Sequence, residues 1–285
     1  MSEPPTSHTV HVEGLRLHYR ELGEGEPVLL LHGWPTSSFL WRNVMTAMVD
    51  SHPGSRVIAL DLPGFGESDK PLDASYSFRF FRRVLDGFVS TLEIDTLGLA
   101  VHDLGGPVGL YWACQRLDRI SKLALLNTLV YPEVSWAVVA FGLACRLPGV
   151  RHYLASPRGL RDAMRIGMAN RARLDDETVR GVQAPFVTRD ARRALIKAGI
   201  GLSPKGLREI AEKLPGFTGP VRIVYGKRDR ILPDVSETME RVKRDLPQAE
   251  IFALPDCGHF LQEDRPQDIG ELLGEFFAPG YGDGS

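Results

Sequence analysis

Polar and apolar residues alternate through "HTVHVEG" (8–14) and "LRLHYRELG" (15–23). That period-two pattern, broken at Glu-Gly, predicts an opening antiparallel hairpin. The next segments read differently. "PVLLLHG" (27–33) and "RVIALDLPG" (56–64) are short apolar runs that end in Gly or Pro turns, the signature of strands buried on both faces. A helical period follows over roughly 76–93, then the strand "LGLAVHD" (97–103), a helix from Gly105 to Arg116, and the strand "SKLALLN" (121–127). "VRIVYG" (221–226) and "AEIFALP" (249–255) are two more strands, each followed by a helical stretch. Strands alternating with helices predict a mostly parallel twisted sheet flanked by helices.

From Thr128 to about Pro215 the strand pattern stops and several short helices are expected. This stretch, 128–215, reads as a helical cap inserted into a core domain made of 1–127 and 216–285. Residues 1–8 and the tail "GYGDGS" read as frayed ends.

Composition adds little to this picture. The 285 residues are 43% hydrophobic and 25% charged, with a net charge of −2, ordinary values for a globular chain that needs no disulfide or metal to hold its core. Neither nucleic acid nor a membrane is indicated as a partner. Cys114, Cys145 and Cys257 are isolated, with no disulfide framework and no zinc-type spacing. The N-terminus lacks the apolar core of a signal peptide, so a cytoplasmic location is expected. One local bias stands out: residues 146–193 hold eleven Arg, no Lys and five acidic residues. It reads as a solvated face, or as a positive funnel for polar or anionic substrates.

The candidate chemistry lies in "GLAVHDLGGPVGL" (98–110). A strand, a tight turn and a helix are the setting of a nucleophile elbow, but Asp103 stands where a serine would. Gly105 and Gly106 allow the sharp turn, Pro107 is tolerated in a first helical turn, and the helix N-terminus favours negative charge at its tip. Asp229 follows the strand "VRIVYG" and His259 follows "AEIFALP". All three therefore fall at carboxyl ends of parallel strands, where open α/β sheets place their sites. The order is nucleophile, acid, histidine. Backbone N–H groups of Trp34, in "LLLHGWPTSS", and of Leu104 are the candidate oxyanion donors. His32 and His102 read as structural, and Asp256 as a turn residue.

With these motifs the chain resembles the α/β-hydrolase superfamily, and within it the aspartate-nucleophile branch of epoxide hydrolases and haloalkane dehalogenases. The resemblance rests on "HGWPTSS", "DLPGFGESDKP", "VHDLGGPVG", "GKRD" and "CGHFLQEDRP" together and spans nearly the whole chain. It implies that 128–215 is the cap. It also implies that some relatives carry their acid near Asn127; an amide cannot act as that charged group, which leaves Asp229.

A carboxylate is already ionised at neutral pH and attacks an sp³ carbon directly. The expected reaction is displacement by Asp103 to form an alkyl ester, followed by attack of water activated by His259, with Asp229 orienting the histidine. No cofactor or metal is expected. The partners are a small epoxide or halogenated substrate and water, and the chain is expected as a monomer or homodimer.

The leaving group separates the two branches. The resemblance implies that a dehalogenase places an indole directly after the nucleophile, and here that residue is Leu104. It also implies Asn or Glu at the position of Trp34, although the Trp34 indole can supply one N–H. An opening epoxide leaves an alkoxide that needs an acid, and the resemblance implies a cap tyrosine roughly fifty residues past the nucleophile; Tyr153 is at that separation. The second tyrosine of that family has no counterpart between 154 and 224, so Tyr131 or His152 is expected at the substrate beside it, or one phenol suffices. The reading is an epoxide hydrolase. The alternatives are a haloalkane dehalogenase, another ester or lactone hydrolase, and a non-catalytic ligand-binding homologue.

Overall fold

The computed structural model describes residues 3–133 and 135–281. Its strands are β1 (Thr6–Val12), β2 (Leu15–Leu22), β3 (Glu26–Leu31), β4 (Ser55–Leu60), β5 (Leu97–Asp103), β6 (Ile120–Thr128), β7 (Val221–Gly226) and β8 (Glu250–Leu254). They form one sheet in the order β1-β2-β4-β3-β5-β6-β7-β8. β1 and β2 are the antiparallel hairpin, β2 joins β4 antiparallel, and every later pair is parallel. The mostly parallel sheet flanked by helices that the alternating pattern predicts is the one observed, as is the α/β-hydrolase arrangement that the resemblance implies. The frayed start is corrected at residues 6–8, which pair with Glu21, Arg20 and Tyr19 inside the hairpin. Residues 1–2 and the last four of the tail lie outside the described residues.

The period of two along each central strand divides its side chains between two cores. On β3, Leu29 and Leu31 enter one core while Val28 and Leu30 enter the other, and β4 divides Ile58 and Leu60 from Val57 and Ala59 in the same way. One face is covered by α2 (Phe78–Thr91) and α3 (Gly105–Ala113), which pack on each other. The opposite face is covered by α1 (Arg42–Ser51) and the C-terminal helix Pro266–Phe277. The sequence pattern did not single out α1, and α3 ends three residues before the expected Arg116.

Between β6 and β7 the chain makes α4 (Trp136–Ala144), α5 (Pro148–Leu154), α6 (Pro157–Gly167), α7 (Asp176–Gln183), α8 (Arg189–Ile200) and α9 (Pro204–Lys213). Side chains of Ser135, Ser156, Asp175 and Thr188 cap α4, α6, α7 and α8, each satisfying an N–H that the first turn leaves open. α9 packs against α3. After β7 come α10 (Val235–Asp245), α11 (Leu261–Asp264) and the C-terminal helix, α12. Among the described residues no helix is long and apolar enough to cross a membrane.

Candidate active site

Asp103 ends β5 in the left-handed region, at φ 48°. L-residues adopt this conformation at a cost of about 1–3 kcal/mol, so the surroundings must hold it. They do so by close approach. A Cβ on Gly106 would lie 1.6 Å from Thr128 Oγ1, and one on Gly33 would lie 2.1 Å from Asp103 Oδ1. With glycine at both positions, Thr128 Oγ1 donates to the Asp103 carbonyl at 2.6 Å and the β3 turn closes over the carboxylate. There the Trp34 N–H donates to Asp103 Oδ1 at 2.6 Å, and the Leu104 N–H faces the same carboxylate.

The other carboxylate oxygen, Oδ2, lies 3.3 Å from His259 Nε2, which is close enough for ion pairing but lacks the alignment of a hydrogen bond. His259 Nδ1 meets Asp229 Oδ2 at 2.8 Å. Asp229 is fixed in turn by the N–H groups of Ile231 and Leu232, at 2.7 and 2.8 Å on Oδ1, and by Asn127 Nδ2, at 2.6 Å on Oδ2. Asp103, His259 and Asp229 thus converge from the ends of β5, β8 and β7.

Charge in this cluster is strongly coupled. Burial by itself would lower the His259 pKa, but the Asp229 and Asp103 carboxylates outweigh it and raise the imidazole to about 10. Burial would raise Asp103; its histidine neighbours and the Leu104 N–H outweigh that and hold the carboxyl below its ordinary value. Asp229 is lowered against burial by His259, the Leu232 N–H and Asn127. The two carboxylates thus favour the protonated imidazole between them.

The site opens into a cavity of about 330 Å³. Its wall is mostly apolar, with Trp34, Leu129, Val138, Phe141 and Phe260 among its members. Tyr153, Asp162 and Arg230 are the polar groups on it besides Asp103. The Tyr153 hydroxyl donates to Asp162 Oδ2, and that carboxylate raises the phenol pKa. The Trp34 indole Nε1 is buried with no hydrogen-bond partner. A larger groove, of about 520 Å³, is lined by charged residues such as Arg228, Asp256 and Arg265 and does not include Asp103.

Two of the sequence-assigned binding residues are elsewhere. Tyr131 is buried against α10, where its hydroxyl donates to Asp245 at 2.6 Å and Arg241 stacks on its ring. His152 follows one residue before Tyr153, but adjacent helical residues point about 100° apart. Its Nδ1 sits 2.6 Å from the Pro148 carbonyl oxygen and its ring lines an arginine-rich groove outside the cavity. His32 holds the β3 turn through the Leu62 N–H, at 3.1 Å. His102 Nε2 lies 2.9 Å from the His259 carbonyl oxygen and its pKa is lowered to about 3, chiefly by burial. It therefore stays neutral and props the histidine loop.

Sequence reasoning missed four contributors. Asn127 was set aside as uncharged, yet it bridges Asp229 and the Gly226 N–H. Asp162 lies one helix beyond Tyr153, and no spacing rule joins them. Arg230, beside Asp229, stands on the cavity wall. Buried Asp264 accepts from the N–H groups of Gly258, Ala169 and Asn170 at 2.8–3.0 Å, tying the segment after α6 to the histidine loop.

Comparison with known proteins shows what this chain is similar to. A family model described as alpha/beta hydrolase fold matches residues 26–266. The chain is 30% identical to a soluble epoxide hydrolase of Corynebacterium sp., over 98% of this chain and 99% of that protein. It is also 30% identical to haloalkane dehalogenase 2 of Mycobacterium tuberculosis, over 92% of this chain and 91% of that one. Among solved structures, a haloalkane dehalogenase from Bradyrhizobium elkani superposes with a TM-score of 0.83 at 26% identity, covering 96% of this chain and 97% of that one.

Proposed function

The chain belongs to the α/β-hydrolase family, in its aspartate-nucleophile branch, and from that premise we propose that it is an epoxide hydrolase converting epoxides to vicinal diols. The observation that carries this choice over dehalogenation is Tyr153. It is a phenol donor on the wall of the cavity that Asp103 enters, whereas Leu104 offers no side-chain donor to a halide.

In the proposed reaction Asp103 Oδ2 attacks an epoxide carbon and the ring C–O bond breaks. Tyr153 gives its proton to the departing oxygen, and the proton that His259 releases on esterification, carried by water, restores the phenol. For this the hydroxyl turns from Asp162 to the substrate. Oδ1 stays on the Trp34 N–H, with the Leu104 N–H facing the same carboxylate.

Esterification removes one of the two charges that hold the proton on His259. The imidazole becomes a base, takes a proton from water, and the hydroxide attacks Cγ of Asp103. The oxyanion forms where the two N–H groups already point. Collapse releases the diol and restores the carboxylate.

The helices from 128 toward 215 act in this reading as a cap, with α4, α5 and α6 supplying cavity wall. The three cysteines are free and buried, which supports a reducing, cytoplasmic compartment.

A second reading has its own observation. Trp34 lines the cavity and its indole Nε1 has no partner, which suits half of a halide clamp, so haloalkane dehalogenase is the alternative. Assays on styrene oxide and 1-bromobutane separate the two. Tyr153→Phe is expected to lower diol formation by about 10²–10⁴-fold. Near-full diol formation in Tyr153→Phe, with bromide release that Trp34→Phe abolishes, replaces this proposal with the dehalogenase.

A further inference from the structure

α4, "WAVVAFGLA", is apolar on every side. Such a helix is ordinarily enclosed, yet no residue of α4 is buried. Its inner positions Ala137, Val138 and Phe141 line the cavity. Its outer positions Trp136, Val139 and Leu143 are 75%, 50% and 55% exposed, and the stripe runs on through Leu147, 58% exposed, to Val150 on α5. Scattered exposed apolar residues are ordinary, but a contiguous stripe of this length marks a contact surface.

The charge beside the stripe identifies what covers it. Immediately after Val150, Arg151 and His152 turn into a groove between α5 and α8 that also holds Arg189, Arg192, Arg193 and Lys197, over an apolar floor including Ile196 and Ile200. Arg193 pairs with Asp190 and Arg192 is held by backbone carbonyls. Among the described residues the guanidinium groups of Arg151 and Arg189 have no hydrogen-bond or ion-pair partner. A negatively charged surface with an apolar interior fits both features.

We propose that the outer face of α4 and α5 docks on an anionic lipid surface, with Trp136, Val139, Leu143 and Leu147 entering the interface and Arg151 and Arg189 meeting lipid phosphates. The net charge of −2 conceals this property, because the acidic residues that offset the arginine excess lie largely outside 146–193. Since the inner side of the same helix is cavity wall, docking would set the cavity beside a reservoir of apolar molecules.

The test is flotation of the full chain with vesicles of equal parts phosphatidylglycerol and phosphatidylcholine, and with phosphatidylcholine alone. Binding is expected only to the anionic vesicles and is expected to weaken in high salt. Leu143→Glu with Leu147→Glu is expected to reduce binding at least about tenfold, and Arg151→Ala or Arg189→Ala about fivefold each. All four residues are exposed, so an unchanged melting temperature verifies the fold. The readout is independent of turnover, so failure of the proposed reaction leaves it intact. Absence of binding to anionic vesicles, or equal binding by the double glutamate variant, overturns the proposal. So does a dimer in sedimentation that the same two substitutions dissociate, because a second copy would then own the face.

Discussion

Asp103→Asn keeps the shape of the nucleophile, removes one of the two charges beside His259, and imitates the neutral ester of the proposed intermediate. Asp103 Oδ2 and His259 Nε2 are 3.3 Å apart. At an effective dielectric constant near 20, opposite charges at that distance attract by about 5 kcal/mol. One pKa unit corresponds to about 1.4 kcal/mol. Allowing for water in the cavity and for a hydrogen bond from the new amide, the imidazole should fall by about two to four units. It would move from about 10 into the neutral range, with Asp229 still orienting Nδ1. The assay is an NMR titration of ¹⁵N-labelled histidine in the parent and in Asp103→Asn, with His259→Gln assigning the resonance. If His259 stays protonated above about pH 9 in Asp103→Asn, then Asp229 alone holds its proton. The imidazole would then not become a base on esterification, and the two-step scheme would fail.

His259→Gln should permit the displacement and stall ester hydrolysis, so mass spectrometry after single-turnover exposure to styrene oxide should show a substrate-sized adduct on Asp103; full turnover without adduct contradicts the mechanism. Stability should also depend on pH in a defined direction. The folded pKa of His259 is raised above its unfolded value of about 6.5, so its ion pairs stabilise fully below that pH and lose their effect as pH rises through about 10. The melting temperature should therefore decline over that window in the parent and less in Asp103→Asn; parallel curves would exclude a raised histidine. Asp264→Ala strands three backbone N–H groups, at about 1–3 kcal/mol each where water cannot replace the carboxylate. It should lower the melting temperature and the catalytic rate, with Asp264→Asn milder in both; a melting temperature unchanged in Asp264→Ala would show that the clamp carries no stability.

The strands, their order of appearance and the positions of Asp103, Asp229 and His259 were legible in the sequence because each is written locally. Period two marks a strand, a glycine or proline turn marks its end, and parallel strands bring their carboxyl ends to one edge whatever lies between them. Which cap residues face that edge is not local. Tyr131 and Tyr153 are both tyrosines after the nucleophile, yet one is drawn to Asp245, 114 positions away in the chain, and the other lines the cavity. His152 and Tyr153 are neighbours in sequence, and the helical turn of about 100° per residue sends them into different spaces. Asn127 looked inert because its charge was absent, whereas its role rests on an amide that reaches Asp229 and Gly226 across strand ends. The exposed outer face of α4 could be known only once the helix was seen with packing on one side. Its all-apolar sequence predicts burial, and only tertiary structure decides whether another part of the chain arrives to provide it.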